Sequence, residues 1–465
     1  MTAQQTRSHP GLDAFAEGSL VKALWRRRTH RVSRGSSVPA GSMSYTSSQP
    51  RTPLTDLEEA LLIAVTGCTG LTMPDRPFND PRNGKPIMAK PNLNMVGRTA
   101  GSPDNAQGTH FLMINDSGTY YLRKLPPDDT GASVLDPDAL LARAAQAKVK
   151  LLDRRIDVPD GNRDFPAYLD SNRFLSNLPG TTIFLPVVDL SRQYINAIMY
   201  LLTQPDGARP AIVDDRNFYQ LAGVKKWVKN GFLNKKIKLP LGNLGAMRTQ
   251  IEADLLLQNL MLTADSMGLG AWIHASISPP VLLGDPKFTG RYGSMLGFDH
   301  VVPKWRLADV VRWGVPLPMA ANIRANPVGL RRMGEPLIKC MCPPNYASMD
   351  DAVDEVVAGK FGPHGIYSDE ALFRRIYNGE FGAKYLKEAS AYAADVIACT
   401  RDICNYIYDT HGRFPAHAEA IHVPGAWLQT HHVEEDYYDK FFENGLTDAH
   451  RQHDRNWHGT QEALT

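Results

Sequence analysis

Apolar residues recur at helical spacing along much of the chain, and the longest such stretch lies near its middle. Residues 246–267 carry leucine and methionine on nearly every side, so we predict a helix that is buried almost all round. Gly268 suits the left-handed turn that ends a helix. A shorter helix is predicted to begin after Thr55, because Glu58 follows three residues later, as in a capping box, and apolar residues then recur.

Short apolar runs and amphipathic stretches alternate elsewhere. The apolar runs predict strands at residues 110–115, 119–122, 184–188 and 271–275. The amphipathic stretches predict helices at residues 136–152, 194–202, 349–358, 369–378, 383–408 and 426–443. Proline-rich stretches predict loops at residues 71–108 and 276–345.

The composition excludes several classes of protein. The chain has 465 residues and a formal net charge of +2, and 43% of its residues are hydrophobic. This balance argues against general disorder. No uncharged apolar run reaches the ~18 residues that span a bilayer, so we expect no membrane partner. The five cysteines are few and odd in number, and no apolar leader stands near the N-terminus, so a cytoplasmic location is expected.

A basic cluster, Arg-Arg-Arg-Thr-His-Arg, occupies residues 26–31. Such a run is often only a solvated surface. Nucleic-acid binding through residues 22–34 is the weaker alternative, because the net charge is near zero and no basic groove with interleaved aromatic residues is evident. We therefore expect no nucleic-acid partner.

The C-terminal part holds nine of the fourteen histidines and four of the cysteines. Their spacings fit no closed zinc pattern, so we predict packing or surface roles and no metal centre. A metal or substrate role for the histidines is the alternative. The residues that prompt this question are Cys340, Cys342, Cys399, Cys404, His411, His417, His422, His431 and His432.

Four segments follow one another in an informative order. They are residues 27–31 (Arg-Arg-Thr-His-Arg), residues 53–70 (beginning Pro-Leu and ending Gly-Cys-Thr-Gly), residues 98–102 (Arg-Thr-Ala-Gly-Ser) and residues 258–270 (beginning Gln-Asn-Leu and ending Gly-Leu-Gly). Together they resemble the motifs of the nitroreductase-like FMN-dependent flavoprotein superfamily. The similarity is greatest to the branch of dehydrogenases that oxidise azolines in peptides.

The resemblance implies an α+β, nitroreductase-like fold, in which a central mixed or antiparallel sheet is flanked by helices. Residues 1–23 are then expected to form a flexible N-terminal segment. Residues 24–335 would form the FMN-binding domain, with insertions near 125–180 and 205–245. Residues 336–465 would form a helical C-terminal extension.

The resemblance also implies a flavin site. Guanidinium groups bind phosphate oxygens bidentately, and a cation near the pyrimidine end of the flavin ring favours the anionic reduced form. His274, on the strand expected beside the ring, is the candidate proton donor, and a satisfied core histidine is the alternative. The cofactor-binding residues implied are Arg27, Arg28, Thr29, Arg31, Arg98, Ser102, Gly268 and Gly270.

The activity implied is that of an FMN-dependent oxidoreductase working by a ping-pong mechanism. A reduced nicotinamide nucleotide, NAD(P)H, or an organic substrate would deliver hydride to FMN, and an acceptor would then take the electrons. A small-molecule or peptide substrate and a homodimer are expected, since relatives form homodimers with FMN at the subunit interface. The alternative is a non-catalytic binding or scaffold protein without flavin, because residues 67–75 depart from the motif that many relatives carry.

Overall fold

The computed structural model describes residues 9–67, 77, 79–80, 82–85, 98–125, 136–156, 174–244, 246–275, 279–287, 295–303 and 325–459. Its helices are α1 (Pro10–Ala16), α2 (Leu20–Arg26), α3 (Asp56–Val65), α4 (Pro137–Ala147), α5 (Ser191–Leu202), α6 (Lys225–Lys229), α7 (Ala246–Met267), α8 (Pro279–Leu283), α9 (Met349–Phe361), α10 (Glu370–Ile376), α11 (Phe381–Glu388), α12 (Ala394–His411), α13 (Glu435–Phe441) and α14 (Asp448–Trp457).

The strands lie between these helices. They are β1 (Ser37–Val38), β2 (Tyr45–Thr46), β3 (Thr109–Asn115), β4 (Gly118–Leu122), β5 (Lys148–Leu152), β6 (Thr182–Asp189), β7 (Pro210–Asp214), β8 (Gln220–Leu221), β9 (Asn234–Pro240), β10 (Gly270–His274), β11 (Asp299–Val301), β12 (Asn326–Arg332), β13 (Glu335–Lys339), β14 (Ile421–His422) and β15 (Trp427–His431).

The main sheet is antiparallel, in the order β10-β15-β6-β3-β4-β5, with β14 paired to one end of β6. Its central strand β6 is apolar and buried along almost its whole length. Ile183, Leu185 and Val187 face one core, which α5 also lines. Phe184 faces a second core on the other side of the sheet, which α7 and α3 line. The alternation of side chains along a strand therefore gives the sheet a helical layer on each face.

Helix α7 has the predicted bounds but not the predicted burial. Leu256, Leu260 and Ala264 are buried in the core between the sheet and α3. Ile251 and Leu255, on another face of the helix, are 45% and 40% exposed. The expectation of a helix buried almost all round was therefore wrong along the stripe that contains Ile251 and Leu255.

The C-terminal part departs most from expectation. The helix predicted over residues 426–443 is instead strand β15 followed by helix α13. Strand β15 lies between β10 and β6, with Gly270 opposite His431 and Leu428 opposite Phe184. The expected helical extension thus contributes two strands, β14 and β15, to the main sheet.

Three other differences are local. The helix predicted over residues 136–152 ends at Ala147, and the next five residues form β5. The single helix expected over residues 383–408 is divided into α11 and α12. The segment predicted as flexible, residues 1–23, contains α1 and most of α2, while its first eight residues lie outside the described part.

The remaining strands form smaller sheets. One contains β11, β12 and β13, and another contains β8, β7 and β9, in which β7 and β9 are parallel. The latter sheet lies within residues 205–245, and their assignment as an insertion stays a prediction. The mixture of helices with mainly antiparallel strands confirms the α+β class. None of the helices in the described residues has the length and apolar character that a membrane span requires.

Candidate functional site

The segment Arg27–Arg31 follows α2 directly and is fixed by its backbone. The hydroxyl oxygen of Tyr438, on α13, accepts hydrogen bonds from the N–H groups of Arg31 and Val32 at 2.6 and 3.1 Å. The Nη1 atom of Arg27 lies 3.7 Å from the Sδ atom of Met261 on α7. The segment is therefore held between the C-terminal half of α7 and α13.

The side chains of this segment leave a basic surface. Arg28, Thr29 and Arg31 are exposed and Arg27 is half-buried. Within the described residues, no salt bridge joins Arg27, Arg28 or Arg31 to a carboxylate, whereas neighbouring Arg26 lies 3.8 Å from Asp448. The guanidinium of Arg31 lies 5.7 Å from the ring centroid of Trp272, on β10. These cations are available to an anionic ligand.

Residues 98–102 also dock on α7, but their polar side chains are buried. The side-chain amide of Asn259 donates to the carbonyl of Thr99 at 2.6 Å. Arg98 Nη1 lies 3.1 Å from Glu252 Oε1, and both side chains are at least 99% buried. Ser102 donates to the other oxygen of Glu252.

Glu252 is the centre of this buried network. Its carboxylate also accepts the backbone N–H groups of Gln107 and Thr109, each at 2.9 Å. Burial alone would raise the pKa of Glu252, but the charge of Arg98 and these hydrogen bonds lower it. Glu252 thus already binds Arg98 and Ser102, while Arg98 Nε is buried without a hydrogen-bond partner among the described residues.

The two glycines after α7 are required by the packing of C-terminal elements. Gly268 has φ +87°, and a Cβ there would collide with the carbonyl of Ala449 on α14. A Cβ at Gly270 would lie 2.7 Å from His431 Nε2 on β15. Close packing of α14 and β15 against these two positions explains both glycines without a ligand.

His274 lies in an aromatic cluster at the end of β10. Its Nε2 accepts the indole N–H of Trp427, and its ring stacks on Trp272 with centroids 4.0 Å apart. Burial, together with the charge of Arg31, lowers the pKa of His274 to about 3. The imidazole is therefore neutral at pH 7 and carries its proton on Nδ1, which has no partner among the described residues. Its predicted role as a proton donor stays a prediction.

The structure also brings together residues that the sequence did not connect. Glu58, predicted only as part of a capping box, is surrounded by the Nε2 atoms of His432, His453 and His458. The capping box is present as well, because the Thr55 hydroxyl accepts from the Glu58 N–H and the Glu58 carboxylate accepts from the Thr55 N–H. The nearest of these histidines in sequence lies 374 residues from Glu58, so no local spacing could have shown the cluster.

A second carboxylate–histidine cluster lies beside the arginine segment. Asp265, on α7, is 3.9 Å from His30 Nδ1 and 3.8 Å from His450 Nε2. The backbone N–H of Arg28 donates to its carboxylate. Burial raises the pKa of Asp265 to about 7, and the charges of Arg27 and Arg28 offset part of that rise.

One cavity lies away from these residues, beside α8. It has a volume of about 80 Å³ and is lined in part by Leu283, His300 and His422. Sites for organic ligands usually have volumes of roughly 300–1,000 Å³. The cavity is therefore too small for a nucleotide cofactor.

Some residues of the expected site lie outside the described part of the chain. They are the residues of the divergent 67–75 stretch beyond Gly67.

Comparisons with known proteins give little that bears on function. No protein-family model matches the chain, and no curated protein matches it. A crystal structure from Ralstonia eutropha JMP134, provisionally named a nitroreductase, is similar to it with 13% sequence identity and a TM-score of 0.25. The match covers 63% of this chain and 80% of that chain.

Proposed function

We propose that the protein is an FMN-dependent oxidoreductase of the nitroreductase-like type. In this proposal it transfers hydride between a reduced nicotinamide nucleotide or organic substrate and an acceptor. The observation that carries the proposal is the meeting of three segments that are far apart in sequence. Residues 27–31 and residues 98–102 both contact α7, the helix that contains the third motif.

The exposed arginines fit the phosphate end of FMN. The phosphate has about two negative charges, and guanidinium groups bind it through paired, charge-assisted hydrogen bonds. Arg28 and Arg31 are exposed and have no carboxylate partner within salt-bridge distance among the described residues. They would hold the phosphate, with Arg27 and the Thr29 hydroxyl beside them.

The neighbouring β10 offers a polar group that a ligand could satisfy. The indole N–H of Trp272 is buried and has no partner in the described part of the chain, and Arg31 lies over the same ring. Unpaired buried donors are uncommon because each costs about 1–3 kcal/mol. When bound, FMN supplies the hydride chemistry, while the protein supplies binding and charge.

Arg98, Ser102, Gly268 and Gly270 have a different role in this proposal. Glu252 holds Arg98 and Ser102, and the glycines admit β15 and α14. All four residues would position the loop and turn around α7 rather than contact the flavin. Of the cofactor-binding residues predicted from the sequence, only Arg27, Arg28, Thr29 and Arg31 are therefore proposed to contact the flavin.

A homodimer is part of the proposal. Helix α2 exposes Leu20, Val21 and Trp25 at 66%, 64% and 78%, and α7 exposes Ile251 and Leu255. Soluble proteins seldom leave such neighbouring apolar side chains in water unless a partner covers them. A second copy of the chain is the partner we propose.

The absorption spectrum of the purified protein tests the proposal. We expect a yellow protein with flavin absorbance, or a colourless one that becomes yellow when FMN is added and excess is removed. The loaded protein should then oxidise NADH or NADPH in the presence of a nitro compound or a quinone. A protein that stays colourless after incubation with FMN would contradict the proposal and favour a non-catalytic role.

A further inference from the structure

The cluster around Glu58 is built from three separate parts of the chain. Glu58 lies in the first turn of α3, and His432 follows β15 directly. His453 lies on α14, and His458 follows that helix. The side chains of Glu58 and His432 are fully buried, that of His453 is 3% exposed and that of His458 is 23% exposed.

The three imidazoles point the same nitrogen at the same oxygen. The Nε2 atoms of His432, His453 and His458 lie 3.3, 2.9 and 3.2 Å from Glu58 Oε1. The other oxygen, Oε2, accepts the N–H and hydroxyl of Thr55 at 2.6 and 2.9 Å. The carboxylate is thus oriented by Thr55, and Oε1 alone faces the histidines.

The opposite nitrogen of each ring identifies the tautomer. His432 Nδ1 lies 2.9 Å from the carbonyl oxygen of Thr52, and His453 Nδ1 lies 2.8 Å from that of Met267. His458 Nδ1 lies 3.3 Å from a carboxylate oxygen of Asp454. Carbonyl and carboxylate oxygens only accept, so each Nδ1 carries a proton. The neutral rings of His432 and His453 therefore direct an Nε2 lone pair towards Glu58. His458 can instead donate from Nε2, because Asp454 and Glu58 raise its pKa to about 9.

The Nε2 lone pairs of His432 and His453 face Glu58 Oε1 with no proton between them, so positive charge is needed at this point. Protonating His432 and His453 in addition to His458 would set three imidazolium charges against one carboxylate, a net charge of +2 in a largely buried cluster, which is costly. His453 Nε2 also makes no hydrogen bond of acceptable geometry, although it lies 2.9 Å from Oε1. One divalent cation satisfies all four atoms at once.

We propose that Glu58, His432, His453 and His458 form a closed tetrahedral site for one divalent first-row transition metal ion. Zinc binds nitrogen and oxygen ligands at about 2.0–2.2 Å, which places the ligand atoms of a tetrahedral site roughly 3.3 Å apart. The three nitrogen-to-oxygen distances, 2.9, 3.2 and 3.3 Å, are close to that spacing, and all four ligand atoms lie within 4.8 Å of one another. Imidazole nitrogens favour zinc, cobalt or nickel over magnesium and calcium.

The arrangement of the ligands indicates a structural role. Four protein ligands leave no open position for water or substrate, as is usual for structural zinc. The hydrogen bonds at Nδ1 are those that orient histidine ligands in metal sites. The ion would join α3, the end of β15 and α14, and so attach the last helix to the main sheet. This inference does not depend on the proposed flavin.

The neighbouring cluster at Asp265 serves as an internal contrast. The N–H of Thr447 donates to His450 Nδ1 at 3.2 Å, so the proton of His450 is on Nε2, the atom that faces Asp265. A protonated nitrogen cannot bind a metal. The distances to Asp265, 3.8 and 3.9 Å, are also longer. The proposal therefore covers the Glu58 cluster alone.

The test is metal analysis of the full chain produced without a histidine tag. We expect about one zinc or similar ion per chain after dialysis, lost with a strong chelator and restored by added Zn²⁺. The stripped protein should unfold at a lower temperature, because a ligand that binds only the folded state stabilises it. Added Co²⁺ should give the intense visible absorption of a tetrahedral site.

Two variants and one control locate the ion. Glu58→Gln keeps an oxygen for the Thr55 cap. His453→Ala removes the histidine whose Nε2 lies nearest to Glu58 Oε1 and makes no hydrogen bond in the described residues. Each should weaken Zn²⁺ binding by more than the roughly 10–100-fold that is typical of changing a residue that only supports a ligand. His422→Gln changes a histidine outside the cluster and should leave the affinity unchanged.

Three results would overturn the proposal. The stripped wild-type chain could bind neither Zn²⁺ nor Co²⁺, a result that needs no variant to fold. Glu58→Gln and His453→Ala could bind Zn²⁺ as tightly as the wild type, which would place the ion elsewhere. The Co²⁺ complex could show only the weak bands of octahedral coordination.

Discussion

The two arginine segments, residues 27–31 and residues 98–102, contact the same helix but lie in opposite environments. Arg98 is buried and paired with Glu252, whose carboxylate collects hydrogen bonds from the whole loop. Arg28 and Arg31 are exposed, with no carboxylate partner within salt-bridge distance in the described residues. Arginine therefore maintains the fold in one segment and is available to a ligand in the other. The difference is the buried carboxylate of Glu252, which pairs with Arg98.

The largest expected effect follows from breaking the buried pair. Arg98→Met leaves the Glu252 carboxylate buried without its cation, so the free energy of unfolding should fall by about 3–5 kcal/mol. Urea unfolding measures it. Arg123→Met is the matched control, because Arg123 pairs with Glu335 on the surface at 2.9 Å and should change stability by less than about 1 kcal/mol. Equal losses of unfolding free energy in the two variants would show that the buried pair stabilises the fold no more than the surface pair does.

The same pair also predicts a dependence on pH. Because the pKa of Glu252 is lowered from its usual 4.5 in the folded chain, its contribution is present above that pH and is lost as the pH falls further. In Arg98→Met this acid-side loss should be much smaller than in the wild type. The free energy of unfolding, measured for both proteins between neutral pH and pH 3, checks this. Equal losses of stability in the wild type and in Arg98→Met would show that the pair does not contribute.

A smaller stability effect is expected from the exposed segment, with a large effect on binding. The double variant Arg28→Ala/Arg31→Ala should unfold within about 0.5 kcal/mol of the wild type, as is usual for exposed positions. Its affinity for FMN should fall about 100-fold or more, since a hydrogen bond to a charged group contributes about 1.5–3 kcal/mol. Arg332→Ala, an exposed arginine on β12, is the control for a general loss of positive charge.

The last expected effect is a gain in stability at Asp265, which lies beside the exposed segment. Its pKa rises on folding from 3.8 to about 7, so its ionised form destabilises the fold increasingly as the pH rises between those values. Asp265→Asn should therefore raise the free energy of unfolding at pH 8, by a few kcal/mol at most, and leave it unchanged at pH 4. A gain of the same size at both pH values would rule out ionisation as the cause.

Much of the fold could be predicted from the local pattern of residues in the sequence. The cap at Thr55, the bounds of α7 and the hairpin of β3 and β4 all follow from signals within a few residues. Strand β15 was missed because its buried residues are largely polar. Gln429, for example, donates to the carbonyl of Leu175, so it is satisfied by partners distant in sequence rather than by an apolar pattern. The turn from helix to strand at Lys148 was missed for a smaller reason, since its alternating Lys-Val-Lys pattern is only a few residues long.

The site was less predictable from the sequence than the fold. A sequence motif cannot distinguish Arg98 from Arg31, because the distinction lies in Glu252, which is 154 residues from Arg98. The histidines around Glu58 lie at least 374 residues from it in the sequence, so no motif could connect them to it. Their convergence depends on the pairing of β15 with β10 and β6, and that pairing was itself the element that local pattern missed.

A comparison of FMN with riboflavin tests the central claim most directly, because the two differ only in the phosphate. Titration of the full chain, followed by flavin fluorescence, should show FMN binding about 100-fold or more tightly than riboflavin. In Arg28→Ala/Arg31→Ala that preference should disappear, while riboflavin binding stays as in the wild type. Equal affinities of the wild-type chain for the two flavins, or binding of neither, would contradict the assignment of these arginines to a flavin phosphate.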